Sequence, residues 1–129
     1  MYNRDRLDKM RISHDTLLEY GKKLILKYPV LQQIIFDQFP YIFIDEYQDT
    51  SSEVVEIMAA LDTHAKEMKR KFFVGYYGDR VQNIYDDGIG CHLLEKHENL
   101  ERISKEFNRR SYKEIIDVAN RIRLDDLHQ

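Results

Sequence analysis

The stretch YIFIDEYQDTSS, residues 41–52, joins an apolar run to a cluster of carboxylates. Tyr41–Ile44 is short, continuous, aromatic and β-branched, which is the pattern of a strand buried on both faces of a parallel sheet. Asp45 and Glu46 follow at its carboxyl end, where open α/β sheets bind their ligands. On these residues alone two interpretations stand equal: a metal and phosphate site, or a strand end whose acids favour the next helix N-terminus.

Helices are predicted on the N-terminal side of this strand. Ser13 is placed to cap an amphipathic helix that runs to about Lys27. Pro29 suits the first turn of a second helix, and that helix should end before Pro40.

Further helices and strands are predicted beyond the carboxylates. A serine or threonine within 50–52 can cap a third helix, and the apolar run 72–77 is a second buried-strand candidate. The segment 100–106 is a third strand candidate, and Ser111 is placed to cap a last helix. Helices that alternate with buried strands predict an α/β fold with a mostly parallel sheet and flanking helices.

Composition limits the class of protein and its compartment. The chain has 129 residues, a formal net charge of −3, 43% hydrophobic and 33% charged residues, so it is typical of a globular domain. This charge gives no general encouragement to nucleic-acid binding. Cys91 is the only cysteine and no membrane-length apolar run occurs, which predicts a cytoplasmic protein without membrane contact. The five histidines lack metal-ligand spacing.

A second acidic strand end strengthens the functional interpretation. GDRVQNIY, residues 78–85, places Asp79 after the second strand candidate and Gln82 three residues later, on the same face of a short helix predicted over 80–85. Such an amide could donate to a terminal phosphate and accept from an attacking water. Two acidic strand ends with an amide predict a phosphate site better than either strand end alone.

Three motifs in this order resemble those of a known family. FIDEYQDTS (43–51), GDRVQNIY (78–85) and NRRSYKEIIDVAN (108–120) resemble motifs II, III and IV of UvrD/Rep-type superfamily 1 DNA helicases. The resemblance implies a partial RecA-like P-loop NTPase fold. It assigns 1–103 to the later part of the first RecA-like domain and 104–129 to the start of the second.

The resemblance implies roles for the residues of the first motif. Asp45 would be the Walker B carboxylate that holds Mg²⁺, and Glu46 the base that activates water for ATP hydrolysis. Gln48 and Asp49 would belong to the network that joins the nucleotide site to DNA, with Gln48 on the nucleotide side.

The other two motifs carry further roles by resemblance. Asp79 and Gln82 would contact the nucleotide, with Gln82 sensing the γ-phosphate, and Tyr85 would couple to DNA. Arg110 would stabilise charge on the transferred phosphoryl group, for which a forked guanidinium is suited. Arg109 stands where the family has a base-stacking tyrosine, which changes that contact to cation–π or removes it.

Two departures from the family limit what the chain can do. No GxxxxGK[ST] occurs, so the loop that cradles phosphates is absent and the isolated chain should be inactive. We expect an excised segment of a larger helicase. Asp86, Asp87 and Gly88 replace an aromatic residue followed by Arg-Gly, which puts the grip on single-stranded DNA in doubt.

The main hypothesis is a segment of an ATP-dependent DNA helicase or translocase. It would act with the remaining helicase domains on single-stranded or partly duplex DNA, and the family implies 3′ to 5′ polarity. The alternative is a UvrD-like ATPase used as a regulatory or sensing switch in a repair or defence complex. A magnesium nuclease using the ExK triplet 67–69 and a non-catalytic interaction module are the remaining hypotheses.

Overall fold

The computed structural model describes residues 5, 11–79, 89, 92–105 and 107–122. These residues belong to two units, Met1–Asn99 and Leu100–Gln129. The first unit contains four helices and two strands among its described residues: α1 (His14–Lys27), α2 (Pro29–Gln38), β1 (Tyr41–Ile44), α3 (Ser52–Glu67), β2 (Phe73–Tyr76) and α4 (Leu93–Lys96). The second unit contains α5 (Lys113–Ile122). The assignment of the two units to two RecA-like domains stays a prediction.

The first two helices begin and end as the sequence predicts. The Ser13 side chain accepts a hydrogen bond from the Thr16 N–H, which satisfies one of the free donors of the first turn of α1. Pro29 opens α2, where its missing N–H costs nothing, and the helix ends before Pro40. The predicted helices over 14–27 and 29–38 are therefore confirmed.

The caps of the later helices differ in detail from the prediction. Ser51 is the N-cap of α3, but its side chain makes no capping hydrogen bond. The last helix, α5, begins at Lys113, two residues after the predicted cap Ser111. The Tyr112 carbonyl accepts from the N–H groups of both Ile115 and Ile116, so the N–H of Ile115 in the first turn is satisfied by the backbone.

The strands β1 and β2 pair in parallel, with Tyr41 opposite Phe73 and Ile44 opposite Tyr76. Backbone hydrogen bonds extend the pairing at both ends, from Phe73 N–H to Pro40 O and from Tyr77 N–H to Ile44 O. The two described strands and their flanking helices confirm an α/β fold with a parallel sheet. The carboxyl ends of both strands consequently lie at one edge of the sheet.

The predicted burial of both strand faces is wrong: among the described residues, only one face of the sheet is covered. The aromatic side chains of the other face are at least half exposed, namely Tyr41 (65%), Phe43 (61%), Phe73 (50%) and Tyr77 (52%). Phe43 contacts the Phe73 and Tyr77 rings at centroid distances of 6.0 and 5.9 Å. Gly75 leaves room for this stack, because a Cβ there would lie 2.9 Å from the Tyr77 ring.

Helix α3 is the centre of the first unit, since it packs against α1, α2, α4 and β2. Its inner face forms the apolar core with α2 and contributes to the cluster Phe36, Ile57, Leu61 and Ala65. Burial of such side chains contributes about 1.5–3 kcal/mol each. This core fixes α3 directly behind the strand-end loop.

Two further predictions concern the remainder of the chain. The described residues of the third strand candidate, 100–105, form no strand, so that prediction is wrong for them. The short helix predicted over 80–85 lies outside the described residues. No described helix combines the length and apolar character needed to cross a membrane.

Candidate functional site

A tight loop carries the carboxylates away from the end of β1. Glu46 has left-handed backbone angles (φ 48°, ψ 46°), and a 3₁₀ turn, Tyr47–Asp49, follows it directly. The Glu46 N–H donates to Asp45 Oδ1 at 3.0 Å, and the Asp49 N–H donates to Glu46 O at 3.0 Å. A left-handed non-glycine residue costs about 1–2 kcal/mol, so surrounding contacts must hold Glu46 in place.

The amide of Gln48 supplies one such contact. Gln48 is 1% exposed, and its Nε2 donates to Glu46 Oε2 at 2.7 Å. Its Oε1 accepts from the backbone N–H of Asp79 at 3.1 Å. Both ends of one buried amide are therefore engaged, and the two predicted motifs are joined through a single side chain.

Gly78 makes this connection possible. Its φ of 155° is rarely adopted by residues with a side chain, and a Cβ there would lie 2.2 Å from Gln48 Oε1. The backbone beside it is also tied to the loop, because the Tyr47 N–H donates to Tyr77 O at 3.0 Å. The glycine of the GD pair is required for the close approach of β2 to the Gln48 side chain.

Asp45 and Glu46 remain exposed and form no ion pair with the described residues of the chain. Mg²⁺ in phosphate sites is commonly bound by one or two carboxylates together with substrate phosphates and water. An exposed aspartate with a neighbouring glutamate fits this donor set. No three acidic, histidine or cysteine side chains of the described segments group into a self-sufficient metal site.

The residues predicted to act together fall into three sets. Asp45, Glu46, Gln48 and Asp79 lie together at the strand ends, and Asp49 lies in the adjoining 3₁₀ turn. Gln82 and Tyr85 lie outside the described residues. The third set, Arg109 and Arg110, belongs to the second unit and is exposed there.

The two arginines lie in a turn that the Asn108 side chain closes. Asn108 Oδ1 accepts from the backbone N–H groups of Arg110 at 2.9 Å and Ser111 at 3.2 Å. This bonding of an asparagine side chain to the backbone two and three residues later orients the chain before α5. The role of Asn108 was not part of the sequence prediction, although asparagine before a helix is a known signal for such a turn.

A partly buried polar network beside the strands was also missed. Tyr76, at the end of β2, contacts His97, which in turn contacts Asp62 of α3. These residues are far apart in the sequence, and no local pattern joins them. Only the packing of α3, α4 and β2 brings them together.

The sequence defines one class of protein. A family described as the UvrD/REP helicase N-terminal domain matches residues 1–86, which is more than half of the chain. The chain belongs to this family. The resemblance predicted from the motifs is confirmed.

Two relatives make the comparison more specific. The chain is 57% identical over 129 residues to the Gabija protein GajB of Bacillus cereus (strain HuB5-5), covering 100% of this chain and 19% of that protein. It is 30% identical over 124 residues to an ATP-dependent helicase/nuclease protein of Alkaliphilus metalliredigens (strain QYMF). That match covers 95% of this chain and 9% of the relative. The chain thus spans a minor part of both relatives.

Proposed function

We propose that this chain supplies the water-activating part of the ATP site of a UvrD-like DNA helicase or translocase. The observation that carries the proposal is the Gln48 amide, which contacts both the Glu46 carboxylate and the backbone of Asp79. In a RecA-like domain these two segments would face the terminal phosphate of ATP from neighbouring strand ends. Hydrolysis of ATP at this site would drive 3′ to 5′ movement on single-stranded DNA.

Glu46 is suited to act as the general base. The Gln48 amide donates to Oε2 and so holds the carboxylate, whose other oxygen would accept a proton from water. A neutral amide orients the carboxylate without neutralising it. The negative charge therefore stays available for proton abstraction.

Asp45 would hold Mg²⁺ on the nucleotide side of the loop. When bound, the metal ion would withdraw charge from the phosphate oxygens and orient them for in-line attack. The Asp45 side chain already accepts the Glu46 N–H through Oδ1, which fixes the direction of the carboxylate. Asp45 and Glu46 would thus divide metal binding and proton transfer between them.

Gln48 offers a route by which the nucleotide affects the following segment. Any shift of Glu46 changes the position of the amide, and the amide is bonded to the Asp79 N–H. The residues after Asp79 include Gln82, which would sense the γ-phosphate, and Tyr85, which would couple to DNA. Arg110 would reach the same phosphate from the second domain, with a fixed positive charge that suits a developing anion.

The full-length protein is needed for the test, because the 129 residues contain no GxxxxGK[ST] loop. We expect ATP hydrolysis that single-stranded DNA stimulates. Glu46→Gln should lower kcat about a thousandfold and leave nucleotide binding intact, since general base catalysis is worth about 10²–10⁴-fold. Streptavidin displaced mainly from the 5′ end of an oligonucleotide would support the polarity.

A matched control separates the base from a general charge effect. Glu98 is an exposed glutamate of the same unit, and Glu98→Gln should leave kcat within about twofold. Unchanged turnover in Glu46→Gln would reject Glu46 as the base. A full-length protein without a phosphate-binding loop would reject the motor itself.

A second candidate function is a UvrD-like ATPase used as a regulatory or sensing switch. The acidic pair Asp86 and Asp87 favours it. Carboxylates repel a phosphodiester backbone, and no aromatic ring is offered for base stacking at these positions. A switch of this kind would hydrolyse ATP without displacing a DNA strand. Strand displacement coupled to hydrolysis would exclude it.

A further inference from the structure

A buried histidine joins helices α3 and α4 to the end of β2. His97 follows α4 and is 3% exposed. Its Nδ1 lies 2.9 Å from the Tyr76 hydroxyl, and its Nε2 lies 3.3 Å from Asp62 Oδ2. The Tyr76 and His97 rings also meet edge to face, at 5.7 Å and 89°. The proposed ATP chemistry assigns no task to these three residues.

The chemistry of the partners fixes the direction of both hydrogen bonds. Burial, with the nearby Asp62 carboxylate as a smaller cause, raises the pKa of the Tyr76 hydroxyl, so the phenol keeps its proton and donates. Asp62 can only accept, and it also accepts from Lys66 Nζ. An arrangement in which His97 Nδ1 accepts from the Tyr76 hydroxyl and Nε2–H donates to Asp62 therefore satisfies every member of the network.

The network ends at the residues that precede the candidate site. Tyr76 is the last residue of β2, and the next peptide is tied to the other strand through Tyr77 N–H to Ile44 O. Asp79 then donates to the Gln48 amide. The side chain of Tyr76 thus links this strand end to α3 and α4 through His97.

We propose that His97 is a positioning residue for the ATP site, a statement that rests on the proposed function. It holds Tyr76 from α4, and Gln48 holds Asp79 from the loop after β1. The strand end is therefore fixed between two buried polar side chains. Loss of the Tyr76–His97 bond lets the Gly78–Asp79 segment shift and misplaces the Gln48 amide that orients Glu46.

The same α4 segment offers a matched control. Lys96 Nζ donates to Glu56 Oε1 at 2.7 Å and ties α4 to α3 without contacting β2. Lys96→Met should therefore lower stability and leave the strand end in place. Tyr76→Phe and His97→Phe each remove the Tyr76–His97 hydrogen bond and keep an aromatic ring at the position.

We expect kcat of the full-length protein to fall about tenfold in Tyr76→Phe and in His97→Phe, with KM for ATP within about twofold, because a misplaced base costs rate more than binding. Lys96→Met should keep the kcat of the wild type. Hydrogen exchange of the Tyr77 and Asp79 amides, measured without nucleotide, should accelerate in the first two variants and stay unchanged in the third.

The double variant Tyr76→Phe/His97→Phe separates positioning from stability. Replacing both polar partners by apolar rings can recover stability, since no buried donor is left unsatisfied between them. If kcat recovers together with the urea midpoint, the network is only structural and the inference is overturned. If the midpoint recovers and kcat stays low, positioning is supported.

Failure of this inference can be told from failure of the proposed function. Unchanged amide exchange at Asp79 in His97→Phe overturns the positioning role whatever the protein catalyses. Normal turnover in Tyr76→Phe, alongside loss of turnover in Glu46→Gln, overturns it while the ATP site stands. Faster exchange in these variants of a protein without ATPase activity would retain the mechanical link and reject the motor.

Discussion

Glu46 precedes helix α3 and Glu56 lies within it. The two carboxylates differ in the charge of their partners. Glu56 accepts from Lys22 Nζ of α1 and from Lys96 Nζ of α4, and these two contacts lower its pKa to about 2. Glu46 is exposed on a left-handed backbone and is held by the neutral Gln48 amide. Glu56 is paired with two cations of the chain, whereas the candidate catalytic carboxylate of Glu46 is oriented by an uncharged amide.

The largest effect on stability is expected at Gly78, where a side chain would break the support of Glu46. Gly78→Ala places a Cβ 2.2 Å from Gln48 Oε1 and strains a φ of 155°, so stability should fall by about 2–3 kcal/mol. Urea denaturation measures the change. Gly21→Ala is the matched control: nothing lies within 4 Å of its Cβ, and in the interior of α1 it should stabilise by about 0.5–1 kcal/mol.

The next largest effect, on kcat, is expected from a substitution that changes only the charge and the hydrogen-bond donor of the Gln48 side chain. Gln48→Glu keeps an oxygen for the Asp79 N–H but sets a second carboxylate against Glu46, which should lower kcat about thirtyfold, or about 2 kcal/mol. Steady-state ATPase of the full-length protein measures it. Gln32 is the other buried glutamine of the described chain and donates to Ile25 O. Equal kcat losses in Gln48→Glu and Gln32→Met would contradict a specific role.

A smaller effect on stability alone is expected at Glu56. Glu56→Gln removes the shared charge of two lysine contacts at the junction of three helices, and we expect a loss of about 1 kcal/mol with kcat unchanged. The exposed pair Lys23–Glu19 is the control, and Glu19→Gln should cost less than about 0.5 kcal/mol. A kcat defect in Glu56→Gln would remove the distinction between the two glutamates.

The smallest effect is the pH dependence of the stability that the two Glu56 ion pairs contribute. The pKa of Glu56 is about 2 in the folded protein, below the 4.5 of an unperturbed glutamate, so the stabilisation is complete above pH 4.5 and disappears as the pH falls toward 2. The stability difference between the wild type and Glu56→Gln should shrink over this range. A difference that stays constant down to pH 2 would place its origin outside the ion pairs.

The features that the sequence predicted are those that local chemistry controls. Ser13, Pro29 and Pro40 set helix bounds because a cap or a missing N–H acts on the nearest turn. The strand ends with Asp45 and Asp79 followed from apolar runs and from the geometry of parallel sheets. These placements needed no knowledge of the tertiary packing.

The features that the sequence did not predict depend on distant contacts. A continuous apolar run shows that a strand can be buried on both faces, but it does not show what covers each face, and Phe43 is exposed. The Gln48 bridge needs the approach of Asp79, and the His97 network needs the packing of α3 and α4. The roles of Gln82, Tyr85 and Arg110 stay predictions.

Because the backbone at Glu46 is left-handed, selection for stability and selection for the proposed reaction favour different residues at this position. Glycine and asparagine adopt this conformation at lower energy than glutamate, by up to about 1–2 kcal/mol. A population of variants selected for thermal resistance alone would drift toward such residues and lose the proposed base. The persistence of glutamate at position 46 among functional variants would then measure how strongly the reaction, rather than folding, is under selection.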